Sequence, residues 1–439
     1  MRVLLVSPNR EHLPDPVFPL GLSYIASAII NHGHAVRVID LCFSEDTDSD
    51  IREAINAFQP EVIGMSLRNI DDVAFPKQHS YVQEYKTAIG SLRTYSGAPI
   101  VLGGSGFTIM PEALMQELRA DFGIVGEGEK AFPELLRRLG DGGEKIVRSP
   151  ERLKDLDSVI PDRDLFDCNA YYRLGGMLNI QTKRGCPFEC IYCTYPRVEG
   201  RTVRMRSAKA VADEIEQIMD KTGARHFFFV DSIFNYPVLH AMDICEEIIQ
   251  RDLKIQWSCY ANPAHMTEDL AGTMVKAGCT GVEFGTDSLV DEMLGNLGKS
   301  FTYSIIKEAS DLCRKSGLKF CHFIFAGAPG ETDETVMMNL ERLEELQPDA
   351  AVIMAGIRIF PNTALADRAD KELGLSNVGL RPVFYHSSRF SDYDRVTEAV
   401  SKKKNWIMPG YEINIYPRLQ KKLRERGIKG ALWEELAKR

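Results

Sequence analysis

The sequence predicts an α/β protein with an N-terminal doubly wound, Rossmann-like domain, a partial (β/α)6 barrel of the TIM type and a short C-terminal cap. Three observations carry this reading. Apolar runs of strand length alternate with amphipathic helical segments as far as about residue 372, the pattern of parallel α/β architecture. The alternation falls into two series, separated by a stretch that shows neither period. The 439 residues are too many for one ordinary core and suit two or three domains of roughly 100–200 residues each.

The first series opens with MRVLLVSPNR, a strand over 2–6 running into a loop, and continues with a helix over 20–32. Strands over 35–39, 62–65, 99–102 and 122–125 complete an open sheet of five. Helices over 51–58, 79–94, 111–119 and 130–139 would cover its two faces. Residues 141–173, rich in Asp, Gly, Pro and Arg, read as a loose linker, so the first domain is placed at 1–140. The second series has strands over 177–182, 225–230, 255–260, 281–284, 319–325 and 351–359. Helices fall between them over 208–221, 237–251, 268–276, 303–316 and 332–345. Six βα units exceed a dinucleotide-binding half and fall short of a closed eight-fold barrel, which leaves a partial barrel over 174–372. The remainder, 373–439, carries lysines at 402–404 and the run RLQKKLRERGIKG. It reads as a helical cap with solvated charged faces.

Apolar residues at 44% and charged residues at 26% describe a globular chain. A formal net charge of −9 argues against nucleic-acid binding over the whole surface, since phosphate neutralisation needs an excess of Lys and Arg. The N-terminus lacks a signal-peptide core, and no apolar run reaches the roughly 18 residues that span a bilayer. A cytoplasmic, reducing location with no membrane span is therefore expected.

Three of the ten cysteines crowd together in Lys183-Arg184-Gly185-Cys186-Pro187-Phe188-Glu189-Cys190-Ile191-Tyr192-Cys193, directly after the first strand of the second series. The C-x3-C-x2-C spacing puts three thiolates on one loop. They can hold three irons of a cubane cluster and leave the fourth iron without a protein ligand. An outside molecule with an amino and a carboxylate group can chelate that corner and receive an electron at close range. A zinc site is the first alternative, but zinc favours C-x2-C pairs and a fourth ligand, and no second pair follows downstream. Unrelated buried thiols are the other, and Pro187 and Glu189 argue against a packed face there. The remaining Cys42, Cys168, Cys245, Cys259, Cys279, Cys313 and Cys321 read as packing.

With Gly200-Arg201 and Arg204-Met205-Arg206-Ser207 behind it, this loop resembles that of the radical S-adenosylmethionine (SAM) superfamily. The resemblance implies a [4Fe-4S] cluster on Cys186, Cys190 and Cys193, with SAM on the open iron. It also implies cleavage of SAM to a 5′-deoxyadenosyl radical, fed by an electron donor such as flavodoxin or ferredoxin. Tyr192 takes the position that in this superfamily lies beside the adenine. Further landmarks follow in order: Asp231-Ser232-Ile233-Phe234, Trp257-Ser258, Gly281-Val282-Glu283-Phe284-Gly285, Gly327-Ala328-Pro329-Gly330-Glu331 and Gly356-Ile357-Arg358. Polar groups at the C-terminal ends of barrel strands read as ligand contacts, which makes Asp231, Ser258, Glu283 and Arg358 candidate SAM ligands. Glu283 is the sharpest, because a carboxylate in an apolar strand needs a partner. A salt bridge to Arg358 would serve equally. Asp231 and Ser258 have helix-capping alternatives, and Gly327 and Gly330 suit the turn itself.

The strand ends of the first domain read Ser7-Pro8-Asn9, Ser66-Leu67-Arg68-Asn69, Gly103-Gly104-Ser105-Gly106 and Gly126-Glu127-Gly128-Glu129. Glycines at two neighbouring ends let a backbone approach a bulky ligand, and they do not form the G-x-G-x-x-G fingerprint. Together with Pro19-Leu20-Gly21-Leu22 they resemble the cobalamin-binding domain that precedes the radical SAM barrel in a large subclass. The resemblance covers about residues 1–372. It implies cobalamin held by Ser7, Arg68, Asn69, Gly103, Gly104, Gly126 and Glu127. The Asp-x-His-x-x-Gly segment of the classical cobalamin enzymes is missing, which removes a His ligand to cobalt and places Arg68 or Asn69 beneath the corrin. A domain that keeps the fold without cobalamin is the alternative.

The activity this implies is C-methylation of an unactivated carbon of a small molecule, through the deoxyadenosyl radical and methylcobalamin. A radical rearrangement, cyclisation or oxidation without methyl transfer is one alternative, and a non-catalytic iron-sulfur or cobalamin-binding redox protein is another. The substrate, a small metabolite or lipid precursor, would sit between the domains, lined by the segment 381–386 and the loop near Tyr236.

Overall fold

The computed structural model describes residues 1–140, 143–148, 151–375, 378–415 and 417–436. The first sheet has strands β1 (Arg2–Ser7), β2 (Ala35–Asp40), β3 (Val62–Ser66), β4 (Ile100–Gly103), β5 (Phe122–Val125) and β6 (Ile146–Arg148). All pair in parallel, in the order β2-β1-β3-β4-β5-β6. Val3, Leu4, Leu5 and Val6 are fully buried, because helices cover both faces of such a sheet. Their side chains alternate between two cores. Val3 and Leu5 meet the helices Leu20–Asn31 and Gly128–Arg138, whereas Leu4 and Val6 meet Thr47–Phe58, Val82–Tyr95 and Pro111–Leu118. The order reverses between β1 and β3, which opens a crevice at their carboxyl ends.

The sequence predicts five strands here, and the structure has six. β6 lies within the stretch expected to be a loose linker, and its three residues are too short to show a period. The rest of that stretch is also packed. Leu153, Leu156 and Phe166 are buried, Arg163 pairs with Glu214 at 2.7 Å, and Asp167 caps the helix Cys168–Gly175.

The second domain has β7 (Leu178–Ile180), β8 (Lys183–Arg184), β9 (Arg204–Met205), β10 (His226–Phe229), β11 (Gln256–Ala261), β12 (Cys279–Asp287), β13 (Lys319–Ala326), β14 (Ala350–Ala355), β15 (Ile357–Arg358), β16 (Phe384–Tyr385) and β17 (Trp406–Ile407). Seven of these form one parallel sheet in the order β17-β14-β13-β12-β11-β10-β7, with no pairing between its two edges among the described residues. The six expected barrel strands are all present. The seventh, β17, comes from the segment expected to be a helical cap, so that segment is mixed. Ser207, Thr267 and Thr332 accept backbone N–H groups at the starts of the barrel helices Ala208–Thr222, Glu268–Lys276 and Asp333–Leu346. Gly223 and Gly317 end the helices Ala208–Thr222 and Tyr303–Ser316 in the left-handed region.

One apolar core runs from Leu5 and Phe132 of the first domain to Ile180, Phe229 and Trp257 of the second. The two domains are therefore packed on each other rather than tethered. The C-terminal segment fastens the assembly. Arg424 donates to both carboxylate oxygens of Asp15, from Nε at 3.0 Å and Nη2 at 2.8 Å. That arginine is buried, unlike the solvated face expected of its charge run. Among the described residues no helix is long and apolar enough to cross a membrane.

Candidate active site

The cysteine loop is clasped at its base. β8 and β9 pair antiparallel, with Lys183 opposite Met205 and Arg184 opposite Arg204, and close the segment between them into a loop. Gly185 takes φ +100°, and a Cβ there would stand 2.2 Å from the Thr202 carbonyl oxygen, so only glycine fits. The Cys186 N–H donates to the Gly200 oxygen at 2.9 Å. Asp231, buried at the end of β10, accepts from the backbone N–H of Thr182 (2.7 Å) and Lys183 (3.1 Å) and from the Thr182 hydroxyl. Its carboxylate holds the loop's entry.

Cys186, Cys190 and Cys193 are free thiols. Burial pushes all three upward in pKa, Cys193 to about 12, and the Cys190 charge raises both neighbours further. Three desolvated thiols that disfavour one another's ionisation are stabilised as thiolates by a cation. No group of three or more His, Cys, Asp or Glu side chains among the described residues converges on a point suited to a single ion. A cubane makes a different demand, because each thiolate binds its own iron and the three need not converge. The donor set therefore fits a three-ligand cluster and not a closed zinc site.

Beside the loop, inside the upper barrel, lies a cavity of about 230 Å³ lined by Tyr192, Tyr260, Gly285, Asp287, Phe323 and Phe325, among others. The Tyr192 ring stands edge-on to Phe325 at 5.1 Å, and its hydroxyl donates to Asp287. Asp287 itself has φ +68°, at a bulge where β12 ends.

Of the five residues expected to contact SAM, Tyr192 alone lines this cavity. Ser258 sits in the first half of β11 and lines a separate hollow at the other end of the barrel with Lys319 and Glu434. Glu283 accepts from Trp433 Nε1 at 2.8 Å, with burial pushing its carboxyl up to about 7. It makes no salt bridge with Arg358. Arg358 instead donates from Nε to Asp71 of the first domain at 2.9 Å and from Nη1 to the Ile359 oxygen. A strand-end position signals a polar demand; for Asp231 and Glu283 protein partners meet it, whereas the buried Arg358 Nη2 has none.

The crevice of the first domain opens into a second cavity, of about 350 Å³, at the domain junction. Ser7, Arg68, Gly103, Gly104, Gly126 and Glu127 line it on one side, and Gln181, Tyr195, Val198 and Glu199 of the second domain on the other. Asn69 does not line it, and its carbonyl accepts from the Tyr85 hydroxyl at 2.6 Å. Glu127 faces the cavity but is bound to Arg204 and to the Leu153 N–H, each at 2.9 Å. Burial alone would raise its pKa, yet Arg204 and Arg184 hold it below the ordinary value. Gly104 (φ +95°) is required by its own turn, since a Cβ would meet the Leu67 oxygen at 2.6 Å. Gly126 (φ +88°) has nothing within 4 Å of an added Cβ and leaves its space to a ligand. Two unspent donors face the cavity. Arg68 makes no side-chain hydrogen bond or ion pair among the described residues, and the buried Asn9 Nδ2 has no partner. Donors of this kind fit a corrin, whose rim carries amide oxygens.

Sequence reasoning missed Asp287, Tyr260 and Glu199, and it placed Asn9 at a strand end without selecting it as a ligand. Asp287 follows the Gly281–Gly285 landmark by two residues, and only the bulge turns it inward. Glu199, held by the Gly185 N–H at 3.0 Å, has its carboxyl raised to about 7 by burial.

The fold and the site define a cobalamin-binding radical SAM protein. The B12 binding domain family matches residues 7–136 and the Radical SAM superfamily matches residues 180–343; the chain belongs to the radical SAM enzymes that carry a B12-binding domain. It is 27% identical to tryptophan 2-C-methyltransferase of Streptomyces laurentii, over 83% of this chain and 74% of that protein. It is 25% identical to the anaerobic magnesium-protoporphyrin IX monomethyl ester cyclase of Rubrivivax gelatinosus, over 80% and 67%. The radical SAM methyltransferase TsrM of Kitasatospora setae, solved with cobalamin and a [4Fe-4S] cluster bound, shares the fold at a TM-score of 0.86 and 24% identity, over 100% of this chain and 97% of that one.

Proposed function

We propose that the protein is a cobalamin-dependent radical SAM methyltransferase that methylates a carbon of a small molecule. The observation that carries this reading is the shared cavity. The strand ends of the first domain and the helix that follows the cysteine loop, Tyr195–Val198, face each other across one space. Groups bound on either side would thus meet a single substrate. When bound, the cluster with SAM supplies an adenosyl radical and cobalamin supplies a methyl carrier.

The chain's own residues orient and exclude. Cys186, Cys190 and Cys193 would hold the cluster, and Tyr192, its hydroxyl anchored on Asp287, offers a fixed aromatic face for adenine. Arg68 and Asn9 would bind cobalamin from the crevice, with Gly126 leaving room for its approach. Tyr260 and Phe325 would keep water from the radical. The substrate is a small metabolite or a lipid precursor, the electron donor a flavodoxin- or ferredoxin-type protein, and the compartment the cytoplasm. Residues 381–386 are less suited to line the substrate than the sequence suggests, because Phe384 and His386 pack on Phe75, at 5.5 and 4.4 Å.

Anaerobic reconstitution with iron, sulfide and cobalamin, followed by product analysis on SAM with candidate substrates, tests this. The expected result is S-adenosylhomocysteine and 5′-deoxyadenosine in equal amounts. Deoxyadenosine without S-adenosylhomocysteine overturns methyl transfer in favour of a cyclase-like outcome.

A further inference from the structure

Three carboxylates line the cavity at the domain junction, those of Glu127, Glu129 and Glu199. Glu127 pairs with Arg204, and Glu129 pairs with Arg184 at 2.6 Å. Glu199 has no lysine, arginine or histidine within ion-pair distance among the described residues, because the neighbouring Arg184 is engaged with Glu129 and with the Gln181 side-chain carbonyl. Its position is fixed all the same. Oε2 accepts from the Gly185 N–H at 3.0 Å and Oε1 from Gln181 Nε2 at 3.4 Å. Arg184 Nε donates to the Gln181 carbonyl at 2.9 Å, which decides how that amide faces and aims its nitrogen at Glu199. Each carboxylate oxygen thus accepts one bond and keeps a lone pair free.

Tyr195 stands one helical turn earlier. The Glu199 N–H donates to the Tyr195 oxygen at 2.8 Å, so the two residues, four apart, share a face. Both side chains line the cavity. The Tyr195 side chain is 39% exposed, and among the described residues its ring packs on no other ring and its hydroxyl makes no hydrogen bond. A fixed carboxylate without a cation beside an open aromatic face suits an alkylammonium group, which donates to the one and faces the other. A neutral hydroxyl would donate as well, but it would leave the desolvated charge uncompensated.

We propose that Glu199 and Tyr195 bind a protonated amine of the substrate, which makes the methyl acceptor an amine-bearing small molecule. The inference rests on the reading of this cavity as the place where cobalamin and substrate meet. The two walls sort the two ligands. Arg68 and Asn9, on the first domain, offer donors that suit the amide oxygens of a corrin, whereas Glu199 and Tyr195 offer an acceptor and a ring face that suit a cation. No bond forms or breaks at Glu199, which binds the substrate and leaves the chemistry to the cofactors.

The test uses the full-length chain reconstituted with iron, sulfide and cobalamin. It is titrated at pH 7 with 2-phenylethylamine, a cation, and with 2-phenylethanol, its neutral counterpart, by ligand-observed nuclear magnetic resonance. The wild type is expected to bind the amine about tenfold more tightly than the alcohol. E199Q, whose amide oxygen still accepts from Gly185, should bind the two alike and keep full iron and cobalamin. Y195L should narrow the preference to about threefold, and Y195F, which keeps the ring, should leave it in place. Equal binding of both probes by the wild type overturns the proposal, as does a preference that survives E199Q. Loss of cobalamin from E199Q also overturns it, since Glu199 would then serve a corrin amide. Should E199Q assemble no cluster, an undiminished preference in Y195L overturns it. A wild-type chain that takes up no cobalamin overturns the reading of the cavity first, and the absorbance spectrum before any amine is added tells the two failures apart.

Discussion

Arg358 and Asp71 form a buried pair across the domain junction, Nε to Oδ2 at 2.9 Å, with side chains 3% and 0% exposed. Asp71 lies in the loop after β3 and Arg358 is the last residue of β15, so the pair ties the two sheets at the ends where their cavities open. Asp71 is further held by the Val73 N–H, and the Arg358 guanidinium lies 4.7 Å from the Phe360 ring.

Truncating one partner leaves the other charge desolvated, at a cost of about 3–5 kcal/mol. D71A and R358A should each lower the thermal midpoint by several degrees. The double variant should be much less unstable than the two losses added together. A double-mutant cycle by thermal unfolding checks this, and simple additivity would mean the pair contributes no coupling.

Gly185→Ala tests the clasp at the base of the cysteine loop. The new methyl would meet the Thr202 carbonyl oxygen, and the backbone would be strained at φ +100°, a conformation that costs of order 1–3 kcal/mol for a residue with a side chain. Strand pairing of β8 with β9 is the element that must give. The expected outcome is a folded protein with the far-ultraviolet spectrum of the wild type and less than half its reconstituted iron. A Gly223→Ala control, in open space at a helix end, should keep full iron content. Equal iron in both variants would remove the loop's geometry from the account.

The strands, the barrel helices and the cysteine loop were legible in the sequence because their signals are local. Val3 to Val6 carry an apolar run, Ser207 and Gly223 mark the two ends of one helix, and three cysteines share eleven residues with Gly185. The partners of polar strand-end residues were not legible. Asp231, Glu283 and Arg358 all stand where ligand contacts stand, yet one holds the loop entry, one meets a tryptophan 150 positions away and one crosses to the other domain. Composition at a strand end reveals that a polar group is needed there, and only tertiary contacts reveal what satisfies it. Asp287 was hidden for a related reason. A bulge at the end of β12 turns it onto the Tyr192 hydroxyl, and a bulge leaves no periodic trace.

Glu283 gives the pH dependence of the fold a specific source. The residue is 8% exposed, and its carboxyl accepts from Trp433 Nε1 and is raised by burial from an ordinary 4.5 to about 7. The unfolded chain therefore loses this proton at lower pH than the folded one. Between pH 4.5 and 7 the folded state binds more protons, so this group's contribution is full below pH 4.5 and is lost as pH rises through 7. A rise of that size corresponds to about 3 kcal/mol at most. Glu283→Gln keeps an oxygen for the Trp433 N–H and cannot ionise. Its stability relative to wild type should grow from pH 5 to pH 8 and level off above, read as the difference in thermal midpoint at each pH. Trp433→Phe removes the indole N–H that donates to the carboxylate, which disfavours the ion further, and should move the same window to higher pH. A constant difference between Glu283→Gln and wild type across the range would show that the carboxyl ionises in the folded chain as it does in water.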